Sequence, residues 1–279
     1  MKVIVESGAT KSDWRLISAD GSLLDRKLLP GINVSTASMA HNLETVAEGI
    51  KSIGHRQLDG VYFYTAGIVT PEVSTTLERV IREQAEVVEI EICNDLLAAA
   101  RAVCGRSSGI VAIIGTGSNT CFYDGTNVSQ KVRSGGYILG DEGGGAVLGK
   151  LFLADYLKGL VPATVAEDFA AKFDSSYSGI VASVYRSDSP AGYLGSLAPF
   201  ILSHYGDPYI KSLVDGNFRA FIERALKRYD TDKYPVGVVG GFAWACKDVF
   251  THLCEEAGVR LGVFLPEPVT GLIKYHTAE

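Results

Sequence analysis

The chain has 279 residues and a formal net charge of −6, with 47% hydrophobic and 21% charged residues. This balance excludes a disordered, collagenous or disulfide-stapled protein, and the net acidity disfavours one that tracks a nucleic-acid backbone. The length suits one large domain or two ordinary ones, enough to bury a core without metal or disulfide staples.

The five cysteines (Cys93, Cys104, Cys121, Cys246, Cys254) show no C-x-x-C pair and no zinc spacing, so they read as reduced, partly buried thiols. No run approaches the ~18 apolar residues of a membrane span. Met1 to Val5 meets Glu6 at once, leaving no signal-peptide core. A cytoplasmic protein that engages neither membrane nor nucleic acid is expected.

Val3-Ile4-Val5 predicts a buried strand ending in the turn Glu6-Ser7-Gly8-Ala9-Thr10-Lys11. Ser12 to Ser18 alternates in part, Asp20-Gly21 is a hairpin signal, and Ser22 to Leu29 follows as a third strand. Leu43, Val46, Ile50 and Ile53 are spaced for a helix, Val61 to Tyr64 for a strand, and Pro71 opens a second helix. Val87 to Ile92 is a strand, and Leu96 to Val103 a helix for which Asp95 has the chemistry of an N-terminal cap.

The pattern then restarts. Ile110 to Ile114 is an apolar strand entering Gly115-Thr116-Gly117-Ser118-Asn119; Thr120 to Tyr123, Asp124-Gly125 and Thr126 to Val132 repeat the hairpin. A long helical region from about Asp141 to Tyr229 precedes a strand at Val236 to Val239 and then Gly240-Gly241. One helix from Phe242 to Ala257, a strand from Leu261 to Leu265 and a closing helix from Glu267 to Tyr275 complete the expectation. Two halves with the same opening, and no low-complexity linker, imply two domains divided near residue 110.

The two Gly-Thr turns carry the chemistry. Glycine, serine and threonine let backbone N–H groups converge on an anion, because no Cβ blocks the approach. Each alone reads as an ordinary turn; the duplication favours a polyphosphate held between them. The string Gly144 to Lys150 spells G-x-x-x-x-G-K, but Leu151 stands where a P-loop needs Ser or Thr, so it is rejected. Glu6 has two readings, an acid holding Mg²⁺ through water or a salt bridge with Lys11 or a distant arginine. Asp95, read from the residues alone, is first a helix cap. Seven glycines between Gly135 and Gly149 surround Asp141-Glu142 and point to a ligand close to the backbone.

In this order, Glu6 to Ser12, Gly115 to Asn119, Gly140-Asp141-Glu142-Gly143 and Val238 to Gly241 resemble the BadF/BcrA-type ATPases, and among them the N-acetylglucosamine kinases. The resemblance runs from Val3 to Tyr275. It implies an α/β protein of two ribonuclease-H-like (actin-like ATPase) domains with a central ATP/substrate cleft. Residues 1–110 would form the sugar and phosphate side, and residues 111–279 the nucleotide side with a helical insertion. The last helix would be free to pack back on the first domain.

By position, the resemblance implies that Ser7, Gly8, Thr10, Lys11, Thr116 and Gly117 face the ATP phosphates, and that Gly240 and Gly241 face the adenosine. Glu6 would hold Mg²⁺ through water. Asn33, Gly67, Gly135, Gly136, Tyr137 and Asp141 would bind the sugar. Asp95 would be the catalytic base for its 6-hydroxyl. N-acetylglucosamine or a related amino sugar is the implied acceptor, with a homodimer the common assembly of the fold. Two rivals stand beside this reading: an ATPase activator of a 2-hydroxyacyl-CoA dehydratase, whose iron-sulfur cluster needs cysteines, and a non-catalytic nucleotide or sugar sensor.

Overall fold

A computed structural model describes residues 1–8, 11–34, 37–67, 69–187 and 189–277. The chain divides into two compact units, one of Met1–Ser107, Gly125–Val128 and Glu267–Glu279, the other of Ser108–Asp124 and Ser129–Pro266.

The first unit is built on strands β1 (Lys2–Ser7), β2 (Lys11–Ile17), β3 (Leu23–Pro30), β4 (Gln57–Thr65) and β5 (Glu86–Asn94). Their order is β3-β2-β1-β4-β5, with β1 antiparallel to β2 and parallel to β4, and β4 parallel to β5. Helices α1 (Met39–Ile53), α2 (Pro71–Gln84) and α3 (Asp95–Cys104) connect and flank these strands. Both faces of the central strands are covered, which is why β1 and β4 read as apolar runs rather than alternations. Val3 and Val5 join a core with Trp14, Val46, Ile50, Phe63 and Leu77. Ile4 joins a second core with Ile17, Tyr62, Tyr64, Ala98, Val269 and Leu272.

The second unit holds β6 (Gly109–Ile114), β7 (Ser118–Tyr123), β8 (Val128–Val132), β9 (Val236–Val239) and β10 (Leu261–Leu265), in the order β10-β9-β6-β7-β8. Taken from β8, this is the order of the first sheet with β6 in the place of β1. The β6–β7 pair is antiparallel and the β6–β9 and β9–β10 pairs are parallel, matching in turn their counterparts β1–β2, β1–β4 and β4–β5 in the first sheet. The repeated opening in the sequence is therefore a repeated fold. A short helix α4 (Gly136–Leu139), then α5 (Gly145–Tyr156) and further helices to Arg224, fill the long connection from β8 to β9. The helix expected from Phe242 to Ala257 is two segments, Gly241–Ala245 and Lys247–Glu256. Cys246 leaves helical geometry between them (φ −107°, ψ 19°), and the break lets Ala243 and Cys246 bury before Phe250, Leu253 and Cys254 do so.

The closing helix runs from Val269 to Thr277 and belongs to the first unit. There the His276 ring stacks on Tyr62 at 3.7 Å, its Nε2 lies 2.7 Å from the Tyr64 hydroxyl, and Lys2 donates to its carbonyl at 2.6 Å. Burial, with the Arg101 charge, pushes the His276 pKa down to about 3. Unfolded, the ring gains its proton near 6.5, so this contribution is complete above that pH and is lost as pH falls towards 3. We expect stability to fall by about 1.4 kcal/mol per pH unit across that window from this group. Urea unfolding of His276→Gln between pH 7 and 4 should show a flatter slope, and an unchanged slope would remove His276 as its source.

Candidate active site

In the first unit the predicted residues gather at the carboxyl ends of β1, β4 and β5. The Ser7 side chain is buried, and its Oγ accepts from the Ile32 amide at 2.7 Å. The Thr65 hydroxyl donates to the Ile32 carbonyl at 2.7 Å, and the Ala66 amide to the Ser7 carbonyl at 2.9 Å. These bonds seat the Ile32-Asn33 segment against the strand ends, where Asn33 bridges Ala66 in parallel register. Gly67 follows with φ 97°. Gly8 donates to the Lys11 carbonyl at 3.1 Å. Thr10 lies outside the described residues.

Glu6 is the electrostatic centre of this end of the sheet. Burial, then the charges of Glu267 and Asp13 and more weakly of Asp95, push its pKa up to about 7. Lys11 opposes the shift but forms no ion pair with Glu6 among the described residues, so the salt-bridge reading of Glu6 with Lys11 is set aside. Asp13 differs. Despite burial, hydrogen bonds from Arg15 (2.9 Å) and Arg26 (2.7 Å) hold it below the usual carboxylate range.

The cap of α3 is a correction. Asn94, not Asp95, accepts from the Leu97 amide, at 2.9 Å, and Asp95 is the first helical residue. Asparagine is as good a cap as aspartate. At its actual place the Asp95 carboxylate sits at the positive end of the helix dipole.

In the second unit the turn after β6 is stitched to the glycine-dense stretch. Gly145 donates to the Gly115 carbonyl at 2.9 Å, Ala146 to the Thr116 carbonyl at 2.8 Å, and the Ser118 hydroxyl to the Glu142 carbonyl at 2.7 Å. The Asp141 carboxylate lies directly over Gly117, where a Cβ would collide with it. Asp141 is the one non-glycine residue with positive φ (56°) among the described residues. Such strain costs about 1–3 kcal/mol and persists where surroundings over-determine it. Burial raises its pKa, against hydrogen bonds from the Ser118 amide and the Ser134 side chain. Gly135 and Gly136, with φ of 78° and 73°, open α4, and Lys150 Nζ donates to the Tyr137 carbonyl at 2.6 Å.

A cavity of about 410 Å³ joins Gly115 and Thr116 to Gly241 and is walled by Gly145, Gly195, Ala198, Pro199, Leu202, Phe242 and Ala245. Gly240 stands behind it at φ 142°, where any side chain would strike the Ile114 carbonyl. The apolar wall from Gly195 to Leu202 was not anticipated, because it comes from two short helices whose residues carry no phosphate or metal chemistry. Asn42 was missed as well: it is fully buried on α1, and its Nδ2 donates to the Asn33 carbonyl at 3.2 Å. Its signal was a polar residue, like Thr45, at the helical spacing of the apolar face formed by Val46, Ile50 and Ile53.

Burial pushes the thiols of Cys93, Cys246 and Cys254 up to about 12 and that of Cys104 to about 11, so they are neutral near pH 7. Among the described residues, no three His, Cys, Asp or Glu side chains are grouped so as to hold a metal ion directly, and no helix is long and apolar enough to cross a membrane.

No protein-family model matches the chain. An N-acetylmuramic acid/N-acetylglucosamine kinase of Clostridium acetobutylicum is 27% identical over 219 residues, 72% of this chain and 69% of that protein. A solved structure from Chromobacterium violaceum, a candidate N-acetylglucosamine kinase, superposes with a TM-score of 0.76 over 99% of this chain and 98% of its own, at 18% identity, which speaks for the fold alone. A solved structure from Porphyromonas gingivalis, also a candidate N-acetylglucosamine kinase, matches with a TM-score of 0.93 and 36% identity over 99% of both chains. With likeness at that level over its whole length, the chain belongs to the N-acetylglucosamine kinase family, among the sugar kinases of the actin-like ATPase fold.

Proposed function

We propose that this protein transfers the γ-phosphoryl group of ATP to an amino sugar, at the 6-hydroxyl of N-acetylglucosamine. The observation that carries the reading is the pair of carboxylates at one sheet end, Glu6 closing β1 and Asp95 opening α3, near enough for the charge of one to raise the other. Phosphoryl transfer needs mainly positioning and charge neutralisation, with one carboxylate to orient the acceptor hydroxyl and another to serve the metal.

Asp95 accepts the hydroxyl proton as the oxygen attacks the γ-phosphorus. Asn33, Gly67, Gly135, Gly136, Tyr137 and Asp141 bind the sugar. The backbone amides of the Ser7-Gly8 and Thr116-Gly117 turns, with Thr10 and Lys11, hold the phosphates. The cavity at Thr116 and Gly241 takes the adenosine, its apolar wall suiting a purine face. In this reading residues 1–110 supply the sugar and phosphate side, and residues 111–279 the nucleotide side. Glu6 fits Mg²⁺: it is a desolvated carboxylate facing other carboxylates, and the ion would restore its charged form. Mg²⁺ keeps several of its waters, so a lone strand-end acid suffices to hold it, and it would neutralise phosphate charge there.

ADP release with Mg-ATP against a panel of amino sugars and glucose tests the proposal. Turnover with N-acetylglucosamine well above the sugar-free rate is expected. Sugar-independent hydrolysis, or none, would return the activator and sensor readings to the front.

A further inference from the structure

We propose that Asn217, in the helix Pro208–Arg224, is a positioning residue for sugar binding that fixes the loop carrying Asp141; this rests on the reading of Asp141 as a sugar ligand. Asn217 is 3% exposed, between Val214, Phe218 and Phe221, which all lie in the core of the second unit. An apolar side chain would suit that face of the helix, and asparagine is a poor helix former. Its amide is spent instead on the main chain of the glycine-dense stretch. Oδ1 accepts from the Gly143 amide at 2.9 Å, and Nδ2 donates to the Gly144 carbonyl at 3.2 Å.

The Gly143 amide has no helix or strand partner, so Asn217 supplies the acceptor it would otherwise lack. The Gly144 carbonyl, which also takes the first bond of α5 from the Leu148 amide at 3.2 Å, is held by Asn217 as a second partner. Gly143 rests on the Phe221 side chain, which seats the loop on this helix. On its other side the loop is tied to the phosphate turn by the bonds from Ser118, Gly145 and Ala146 described above. Asp141, whose carbonyl accepts from the Gly144 amide at 2.9 Å, is thus held in its left-handed conformation by a segment gripped from two sides. Releasing the Asn217 side lets Asp141 relax and takes its carboxylate off Gly117. The nucleotide cavity keeps its own ties through Gly115 and Thr116.

The test uses Asn217→Leu and Asn217→Asp in the full chain, with sugar KM, affinity for a non-hydrolysable ATP analogue and amide hydrogen exchange over residues 140–147. In Asn217→Leu the sugar KM should rise about tenfold, as expected for losing one buried hydrogen-bonded anchor, with analogue affinity unchanged. Aspartate accepts from Gly143 at any pH but donates to the Gly144 carbonyl only when protonated. The ratio of its sugar KM to that of the wild type should therefore climb with pH, which a loss of packing alone would not produce. A wild-type sugar KM in both variants, or equal losses of sugar and nucleotide affinity, would overturn the proposal. If the wild type phosphorylates no amino sugar, hydrogen exchange decides alone: faster exchange in the variants keeps the clamp and retires the functional reading, whereas unchanged protection removes the clamp.

Discussion

Asp95→Asn is expected to lower turnover by about 10²–10⁴-fold, the usual worth of a general base, while leaving nucleotide affinity close to that of the wild type. Asparagine keeps the shape of the side chain and its place as the first residue of α3. It cannot take the proton of the attacking hydroxyl. The helix cap is unaffected, because Asn94 and not Asp95 holds the Leu97 amide. Loss of turnover therefore cannot be traced to a frayed α3. Steady-state rates at saturating sugar, with analogue binding measured alongside, check this, and near-normal turnover would take the base role from Asp95.

Glu6→Gln has the second large effect, with opposite signs in two measurements. The carboxyl ionises near 4.5 when unfolded and near 7 in the fold. Between these values the unfolded chain has shed a proton that the native chain keeps, so stability falls as pH rises through the window. Glutamine removes that loss, and the variant should be more stable at pH 8 by up to about 3 kcal/mol, with no gain at pH 4. Turnover should fall over the same range, because the neutral amide cannot serve Mg²⁺. Chemical denaturation at both pH values and Mg²⁺ titration of the rate read the two effects separately. A variant destabilised at pH 8, or one with a wild-type Mg²⁺ requirement, would show that Glu6 is a structural acid. An acid that weakens the fold at working pH is what a strained functional position looks like.

Much of the architecture was legible because its signals are local. Val3 to Val5 and Ile110 to Ile114 are apolar runs entering Gly-Thr turns, and each is the middle strand of a five-stranded sheet of the same order. Asp20-Gly21 and Asp124-Gly125 mark the hairpin of each half in the same way. The single helix expected after Gly241 was not legible as two. Its break at Cys246 follows from which residues the second core accepts, and that core is assembled from distant segments. The cap of α3 was off by one residue, since asparagine and aspartate offer the same acceptor and only the backbone decides which is placed to use it.

Residue type and order alone determined the repeated strand-turn-strand opening, the glycine-dense stretch around Asp141 and the short set of acids able to do chemistry. These follow from φ/ψ permissiveness, apolar periodicity and the cost of a carboxylate at a strand end. Tertiary structure decided what each acid is. Asp13 is pinned by two arginines from its own sheet, whereas Glu6, its cross-strand partner on β1, is buried among other carboxylates with its pKa pushed up to about 7. It also decided that Asn42 and Asn217, unremarkable in the sequence, spend their amides on backbone groups of the loops bearing Asn33 and Asp141. A pKa and a buried hydrogen bond both depend on what stands within a few ångströms, and apart from Arg15 beside Asp13 the neighbours that decide these residues come from elsewhere in the chain.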